Sequence, residues 1–292
     1  LECYQGVIFA YPVSSDHFIS ELLEQYAPGG LSVALVTAVN ENNSASILLR
    51  NGEYADLPWS GMRWAKPFID RETTGPAPEA ASEVLSPGDV IYVMPTSAGF
   101  WALAQVPEAQ GAVVSVDPDD GAITSLVGGF DFATTKFNRA TQSARQPGSS
   151  FKPFIYSAAL ERGFTAASLI NDAPVVFQDA ALEGTWRPEN YSGRFYGPTR
   201  LREALIRSRN MVSIRLLREI GVGFALDYVQ RFGFPPGDLP RNLSLALGSA
   251  TVTPLQIAQG YTVFANGGYR TEPYFIDRIR SANGEILFEA DP

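Results

Sequence analysis

Ser149-Ser-Phe-Lys152 is the segment of this chain best suited to chemistry. At the start of a helix, residues three apart share one face, so a serine hydroxyl and a lysine ammonium can meet there. Partial burial and the positive end of the helix both disfavour the charged lysine, and a neutral amine can then take the serine proton without a histidine. Only three lysines occur, Lys66, Lys136 and Lys152, and there is one Ser-x-x-Lys, so the match is not a by-product of composition. A serine at a helix start is ordinarily an N-cap, however, and a lysine one turn in is ordinarily solvated. A second polar pair bears on the choice. Ser208-Arg-Asn210 lies between a helical stretch at 201–207 and a helix that begins at Met211. From that loop it can present a hydroxyl and an amide to the Ser149–Lys152 pair, or it can simply cap the second helix.

The elements that must hold these residues are readable from pattern. A helix is expected to follow Gln146-Pro-Gly148 and run from Ser149 to Arg162, with apolar residues at three- and four-residue steps and Gly163 as terminator. Another starts at Thr253-Pro254, with Gln256 completing a capping box, and closes at Asn266-Gly267-Gly268. Residues 111–117 and 122–129 flank the turn Pro118-Asp-Asp-Gly121 as a strand pair. Upstream, a small β-domain is expected across about 31–98. Its signals are a β-rich run at 31–39, the turn Asn40-Glu-Asn-Asn43, a strand at 46–50 followed by Asn51-Gly52, and a strand at 90–94 opened by Pro87-Gly88-Asp89. Thr73-Thr-Gly-Pro-Ala-Pro-Glu-Ala-Ala-Ser82 reads as a surface loop between them. Residues 1–30 form a flanking segment with a helical stretch at 18–26, broken by Pro28-Gly29-Gly30.

Composition narrows the chemistry further. The chain has 292 residues, 45% apolar and 18% charged, a globular composition with enough length for a sizeable core. Its 22 Lys+Arg against 31 Asp+Glu give a net charge of −9, which argues against nucleic acid or anionic lipid as a partner. One cysteine, Cys3, excludes an internal disulfide framework and any cysteine-rich zinc site. One histidine, His17, leaves few metal constellations, and no metal or cofactor is expected. Cys3 reads as a buried thiol and His17 as a surface or linker residue. No apolar run approaches the roughly 18–20 residues that cross a bilayer. Acid–base work therefore falls to lysine, carboxylates and hydroxyls.

Taken together, several segments resemble the penicillin-binding proteins, in family order: Lys136-Phe-Asn-Arg-Ala140, Arg145-Gln-Pro-Gly-Ser-Ser-Phe-Lys-Pro-Phe154, Trp186-Arg-Pro-Glu-Asn-Tyr191, Ser208-Arg-Asn210, Leu245-Ala-Leu-Gly248, Thr253-Pro-Leu-Gln256 and Phe264-Ala-Asn-Gly-Gly268. The resemblance is to the bifunctional, class A group of Gram-negative bacteria. It implies an α+β fold, with an OB-like β-domain at 31–98 beside a transpeptidase domain at 99–292. It also implies a role for each matching residue. Ser149 would attack the penultimate D-Ala carbonyl of a peptidoglycan stem peptide, and Lys152 would be its base. Ser208 would relay a proton to the leaving amine, Asn210 would bind the donor peptide amide, and the Ser149 N–H would give half of an oxyanion hole. Trp186 and Tyr191 would border the substrate cleft or serve packing. Asn138 and Arg139 are expected to be structural.

The family's third motif, Lys-Thr/Ser-Gly, is missing, because none of the three lysines precedes Thr/Ser-Gly. The resemblance places that motif beyond Pro292, and a glycosyltransferase domain and membrane anchor ahead of Leu1, on the periplasmic face of the inner membrane. The expectation is that residues 1–292 alone lack the complete active site. The implied partners are stem peptides, β-lactams, and cell-wall or outer-membrane activator proteins. Serine β-lactamase and D,D-carboxypeptidase stand as alternatives, as does a non-catalytic cell-wall binding module. The glutamates after Asn210 are Glu219, Glu272, Glu285 and Glu289, none in the Glu-x-x-x-Asn setting that the common lactamase class uses for deacylation.

Overall fold

The computed structural model describes residues 9–10, 26–70, 72–175, 177–178 and 185–291. Cys3, His17 and all of the helical stretch at 18–26 except Tyr26 lie outside them. The chain divides into two compact units, Leu1–Gln110 with Phe130–Lys136, and Gly111–Gly129 with Phe137–Pro292. Strands dominate the first and helices the second, which makes the architecture α+β.

The first unit is an antiparallel sheet of β1 (Phe9–Ala10), β2 (Ser32–Val39), β3 (Ala45–Leu49), β4 (Tyr54–Leu57), β5 (Asp89–Pro95) and β6 (Trp101–Ala104). The order is β1-β5-β2-β3-β4, and the far edge of β5 is shared: Asp89 and Val90 pair with β1, and residues 92–95 pair with β6. Successive side chains of a strand point to opposite faces, and this explains the unbroken apolar run at the centre of β2. Ala34 and Val36 enter the main core with Ile47, Leu57, Ile91 and Val93, while Val33 and Leu35 pack with Val90 in a second, smaller cluster. The register of β2 against β3 shifts between Val36 and Ala38, a bulge.

The sheet runs past residue 98. Thr96-Ser-Ala-Gly99 looks like the end of the strand region, but it is a hairpin turn. Phe100 O accepts from both the backbone N–H (2.9 Å) and the side-chain hydroxyl (2.8 Å) of Thr96, and this aims β6 back along β5. Residues 130–136 belong to the same unit: Asp131 accepts from Tyr26 OH at 2.7 Å and from Gly29 N at 3.1 Å.

The second unit opens with the strand pair β7 (Val113–Val116) and β8 (Ile123–Val127). A 3-10 turn at Gly148–Phe151 leads into α1 (Lys152–Glu161). Then come β9 (Leu169–Asp172), the short pair β10 (Phe177–Gln178) and β11 (Thr185–Trp186), and β12 (Gly197–Arg200), which pairs with β9. Helices α2 (Leu201–Ile206), α3 (Asn210–Ile220), α4 (Val222–Val229) and α5 (Pro254–Ala265) follow, and the hairpin β13 (Arg278–Arg280) and β14 (Ile286–Glu289) closes the described chain.

The hydrophobic pattern of α3 decides its face: Met211, Val212, Ile214, Leu216, Leu217 and Ile220 are buried, while Arg218 and Glu219 are exposed. In α5 the expected capping box is formed, with Thr253 Oγ1 accepting from Gln256 N at 3.2 Å and Gln256 Oε1 accepting from Thr253 N at 2.7 Å. The core centres on α1, where Phe154 packs edge-on against Phe232, Phe234 and Tyr261 with ring centroids 4.8–5.3 Å apart.

Candidate active site

The site is built from the first turn of α1 and the loop between α2 and α3. Ser149 sits inside the 3-10 turn Gly148–Phe151, not at a helix cap, and its hydroxyl is exposed. In a 3-10 turn, side chains at i and i+3 eclipse, which puts Ser149 and Lys152 on one side of the chain. Pro153 is tolerated directly after Lys152 because the first N–H groups of a helix have no intrahelical acceptor.

Two glycines fix where this turn runs. Gly148 adopts φ +59°, and its N–H donates to Gly248 O at 3.1 Å. Gly248 approaches so closely that a Cβ there would lie 1.9 Å from Gly148 O. Arg145 and Val252 exchange both backbone hydrogen bonds, at 2.9 and 3.1 Å, so the strand-like segment before the turn is tied to the segment after Gly248. Tyr261 of α5 donates to Ser150 O at 2.7 Å and holds the turn from another side.

Lys152 is 1% exposed. Its Nζ donates to Ser208 O at 2.8 Å, Ser208 Oγ at 3.0 Å and Asn210 Oδ1 at 2.7 Å, which accounts for all three ammonium hydrogens. Burial lowers its pKa from 10.5 to about 8. The side chain that pattern alone marks as solvated is thus a desolvated cation within reach of neutrality. Ser208 is one of two non-glycine residues with positive φ among those described, at +52°. That conformation costs a serine energy, and it turns both the carbonyl and the hydroxyl of Ser208 onto Lys152.

The structure therefore brings Lys152, Ser208 and Asn210 into direct contact, with the exposed Ser149 hydroxyl one turn away. The expected meeting of Ser149 and Lys152 is not a hydrogen bond: among the described residues none is made by Ser149 Oγ. Trp186 is half-buried and packs against the helical core, whereas the Tyr191 ring is wholly in solvent. Asn138 and Arg139 tie the strand pair to the following turn, Arg139 N donating to Gly128 O at 2.9 Å and Asn138 Oδ1 accepting from Ala140 N at 3.0 Å.

Two residues escaped the sequence reading as site residues. Asn190 lies within the Trp186–Tyr191 segment but is not singled out by type or spacing. Its Oδ1 accepts from Asn210 N at 2.8 Å. Asp172 carries no local signal at all, yet it is completely buried behind Asn190.

The model of the penicillin-binding protein transpeptidase domain matches residues 111–291, more than half of the chain, and that of the penicillin-binding protein OB-like domain matches residues 12–109. Penicillin-binding protein 1A of Pseudomonas aeruginosa is 51% identical over 277 residues, covering 95% of this chain and 34% of that protein. The Escherichia coli (strain K12) penicillin-binding protein 1A is 46% identical over 264 residues, covering 90% of this chain and 31% of the relative. The chain thus spans about a third of the length of these curated relatives. Among solved structures, penicillin-binding protein 1A from Haemophilus influenzae superposes with a TM-score of 0.83 at 37% identity, covering 99% of this chain and 42% of that one. PonA1 from Mycobacterium tuberculosis in complex with penicillin V gives 0.55 at 29%, covering 62% and 51%. This chain belongs to the penicillin-binding protein family, with an OB-like segment followed by a transpeptidase-domain segment.

Proposed function

We propose that the full-length protein is a serine D,D-transpeptidase that cross-links peptidoglycan stem peptides, and that residues 99–292 supply the first part of its transpeptidase domain. The observation that carries this reading is the buried Lys152, held by Ser208 and Asn210 one turn from an exposed Ser149 hydroxyl.

In the first half-reaction, Ser149 Oγ attacks the carbonyl carbon of the penultimate D-Ala and gives its proton to neutral Lys152 Nζ. The oxyanion takes a hydrogen bond from the Ser149 N–H, in the 3-10 turn that leads into α1. Collapse breaks the peptide bond, and the departing D-Ala nitrogen receives the proton from Lys152 by way of the Ser208 hydroxyl, which already bonds Nζ. The amine of a second stem peptide then attacks the ester carbonyl and gives a proton to neutral Lys152, and collapse of the intermediate breaks the ester bond to Ser149 Oγ, which takes that proton back and is restored as a hydroxyl. Asn210 orients the donor peptide through its amide. A β-lactam, with its acyl-D-Ala-D-Ala-like geometry, acylates Ser149 in the same way, and a complex with penicillin V is known for PonA1. Trp186 and Tyr191 flank the cleft in this reading.

The oxyanion donor of the Lys-Thr/Ser-Gly motif would come from outside residues 1–292. A periplasmic position, a membrane anchor and activator proteins docking on the OB-like segment at 31–98 belong to the same proposal. No helix among the described residues is long and apolar enough to cross a membrane. Replacing Ser149 by Ala in the full-length protein should abolish covalent labelling by a fluorescent penicillin, while wild type keeps the label for many minutes. Undiminished labelling of S149A would remove Ser149 from the mechanism, and rapid release from wild type would point to a lactamase.

A further inference from the structure

We propose that Asn190, locked in orientation by the buried Asp172 carboxylate, is the positioning residue that sets the contact between Asn210 and Lys152. The inference rests on the transpeptidase reading of the same site. Asn190 is 5% exposed and Asp172 is 0% exposed. A backbone carbonyl can only accept and a backbone N–H can only donate, and Asn190 meets one of each at opposite ends of its amide, so that amide has one allowed orientation. Its Nδ2 must face Asp172, donating to Oδ1 at 2.8 Å and Oδ2 at 3.0 Å as well as to Arg194 O at 2.9 Å. Its Oδ1 must then face the other way, where Asn210 N donates at 2.8 Å and Met211 N at 3.4 Å.

These two N–H groups are the first of α3, which have no acceptor within the helix and receive no side-chain cap from Arg209. Asn190 therefore caps α3 from a different part of the chain and fixes the backbone of Asn210. The side chain of Asn210 is held at both ends, Nδ2 by Glu189 O at 2.9 Å and Oδ1 by Lys152 Nζ at 2.7 Å. Glu189 is the sequence neighbour of Asn190, so one rigid segment sets both the backbone and the amide of Asn210. Arg209 closes the arrangement, with Nε 3.9 Å from Asp172 Oδ2 and its guanidinium 3.5 Å from the centroid of the Tyr196 ring. The chain of contacts runs Asp172, Asn190, Asn210, Lys152, and Asn190 reaches the reacting groups only through Asn210.

Acylation of the full-length protein by a fluorescent penicillin tests this in a double-mutant cycle. N190A should slow acylation by about tenfold to a hundredfold, the range expected when a reacting group is displaced by an ångström or so. In N190A/N210A the rate should equal that of N210A, because Asn190 has nothing left to position. A merely structural Asn190 would instead multiply the two losses, and that result overturns the proposal, as does a wild-type rate in N190A. The rescue variants keep the test open if N190A does not fold. N190D alone sets two carboxylates face to face, whereas D172N/N190D restores an amide donor to a carboxylate acceptor. The exchanged pair should label faster than N190D, and no gain overturns the inference. S149A run in parallel separates the two levels: labelling lost in S149A with a wild-type rate in N190A contradicts only the positioning role, and labelling kept in S149A contradicts the reading of the site itself.

Discussion

In the sheet unit the interior is apolar almost without exception, whereas the helical unit closes over a lysine and an aspartate. Among the described residues, the buried polar side chains of the first unit are Ser44 and Asp89, and both serve turns in their own neighbourhood: Ser44 Oγ donates to Asn42 and Asp89 accepts from Ser86 N. Those of the second unit include Lys152, Asp172, Asn190 and Ser213, and they join residues far apart in the chain, Lys152 to Asn210 across 58 positions and Asn190 to Asp172 across 18. Local polar burial of the first kind completes a fold. Long-range burial of charge is expensive to assemble, and hydrophobic replacement of such groups is often neutral or stabilising, so its presence marks the place where the fold has been shaped by chemistry.

The sharpest way to break this contrast is to compare Lys152→Met with Ile47→Ala in the full-length protein. K152M should lower penicillin acylation by about 10²- to 10⁴-fold, the usual worth of a general base, while leaving the melting temperature of the helical unit unchanged or raised. I47A opens a hole in the sheet core and should cost about 2–5 kcal/mol with no change in acylation. The contrast fails if K152M destabilises as strongly as I47A. Its size also depends on pH. Native Lys152 releases its proton near 8 and the unfolded lysine near 10.5, so between these values the unfolded state binds more protons and wild type gains stability as pH rises. Any advantage of K152M at pH 7 should shrink toward pH 10.

Next in size is Gly248→Ala. The new Cβ would fall 1.9 Å from Gly148 O, so the turn that carries Ser149 has to move. Overpacking of this kind costs about 1–3 kcal/mol, and thermal unfolding together with acylation should both register it. A variant with wild-type values for both would show that the Gly148–Gly248 contact does not position the nucleophile. The smallest effect is Thr253→Ala, which removes a capping box that makes no hydrogen bond to Lys152, Ser208 or Asn210 and should cost about 1 kcal/mol with acylation unchanged within twofold.

What could be read from the sequence follows the same division between local and long-range. The cap at Thr253, the strand pair around Pro118–Gly121 and the helix after Gly148 depend on residues within a few positions of one another, and all three are present. Ser149-Ser-Phe-Lys152 and Ser208-Arg-Asn210 stood out because each motif is compact, and the structure joins the second to Lys152. The burial of Lys152 was legible only as a condition the chemistry needs. The Asp172–Asn190 pair was not legible at all, since an aspartate at the end of a short strand and an asparagine in a loop give no sign that tertiary packing will bring them together. The sheet was read short at residue 98 because a hairpin turn and a domain end share the same small and polar residues. Tyr191 and Trp186 share a motif, yet one faces solvent and the other packs on the core, a choice that their spacing does not encode.

The central claim is that Lys152, desolvated and held by Ser208 and Asn210, is the base that activates Ser149. The pH dependence of the second-order acylation rate of the full-length protein by a penicillin tests it most directly, because that profile reports the ionisation of the free enzyme. The rate should climb through a single ionisation with a midpoint of about 8, following loss of the Lys152 proton, and the step should vanish in K152M. A rate that stays flat from pH 6 to 10, or a step that survives in K152M, would contradict the account.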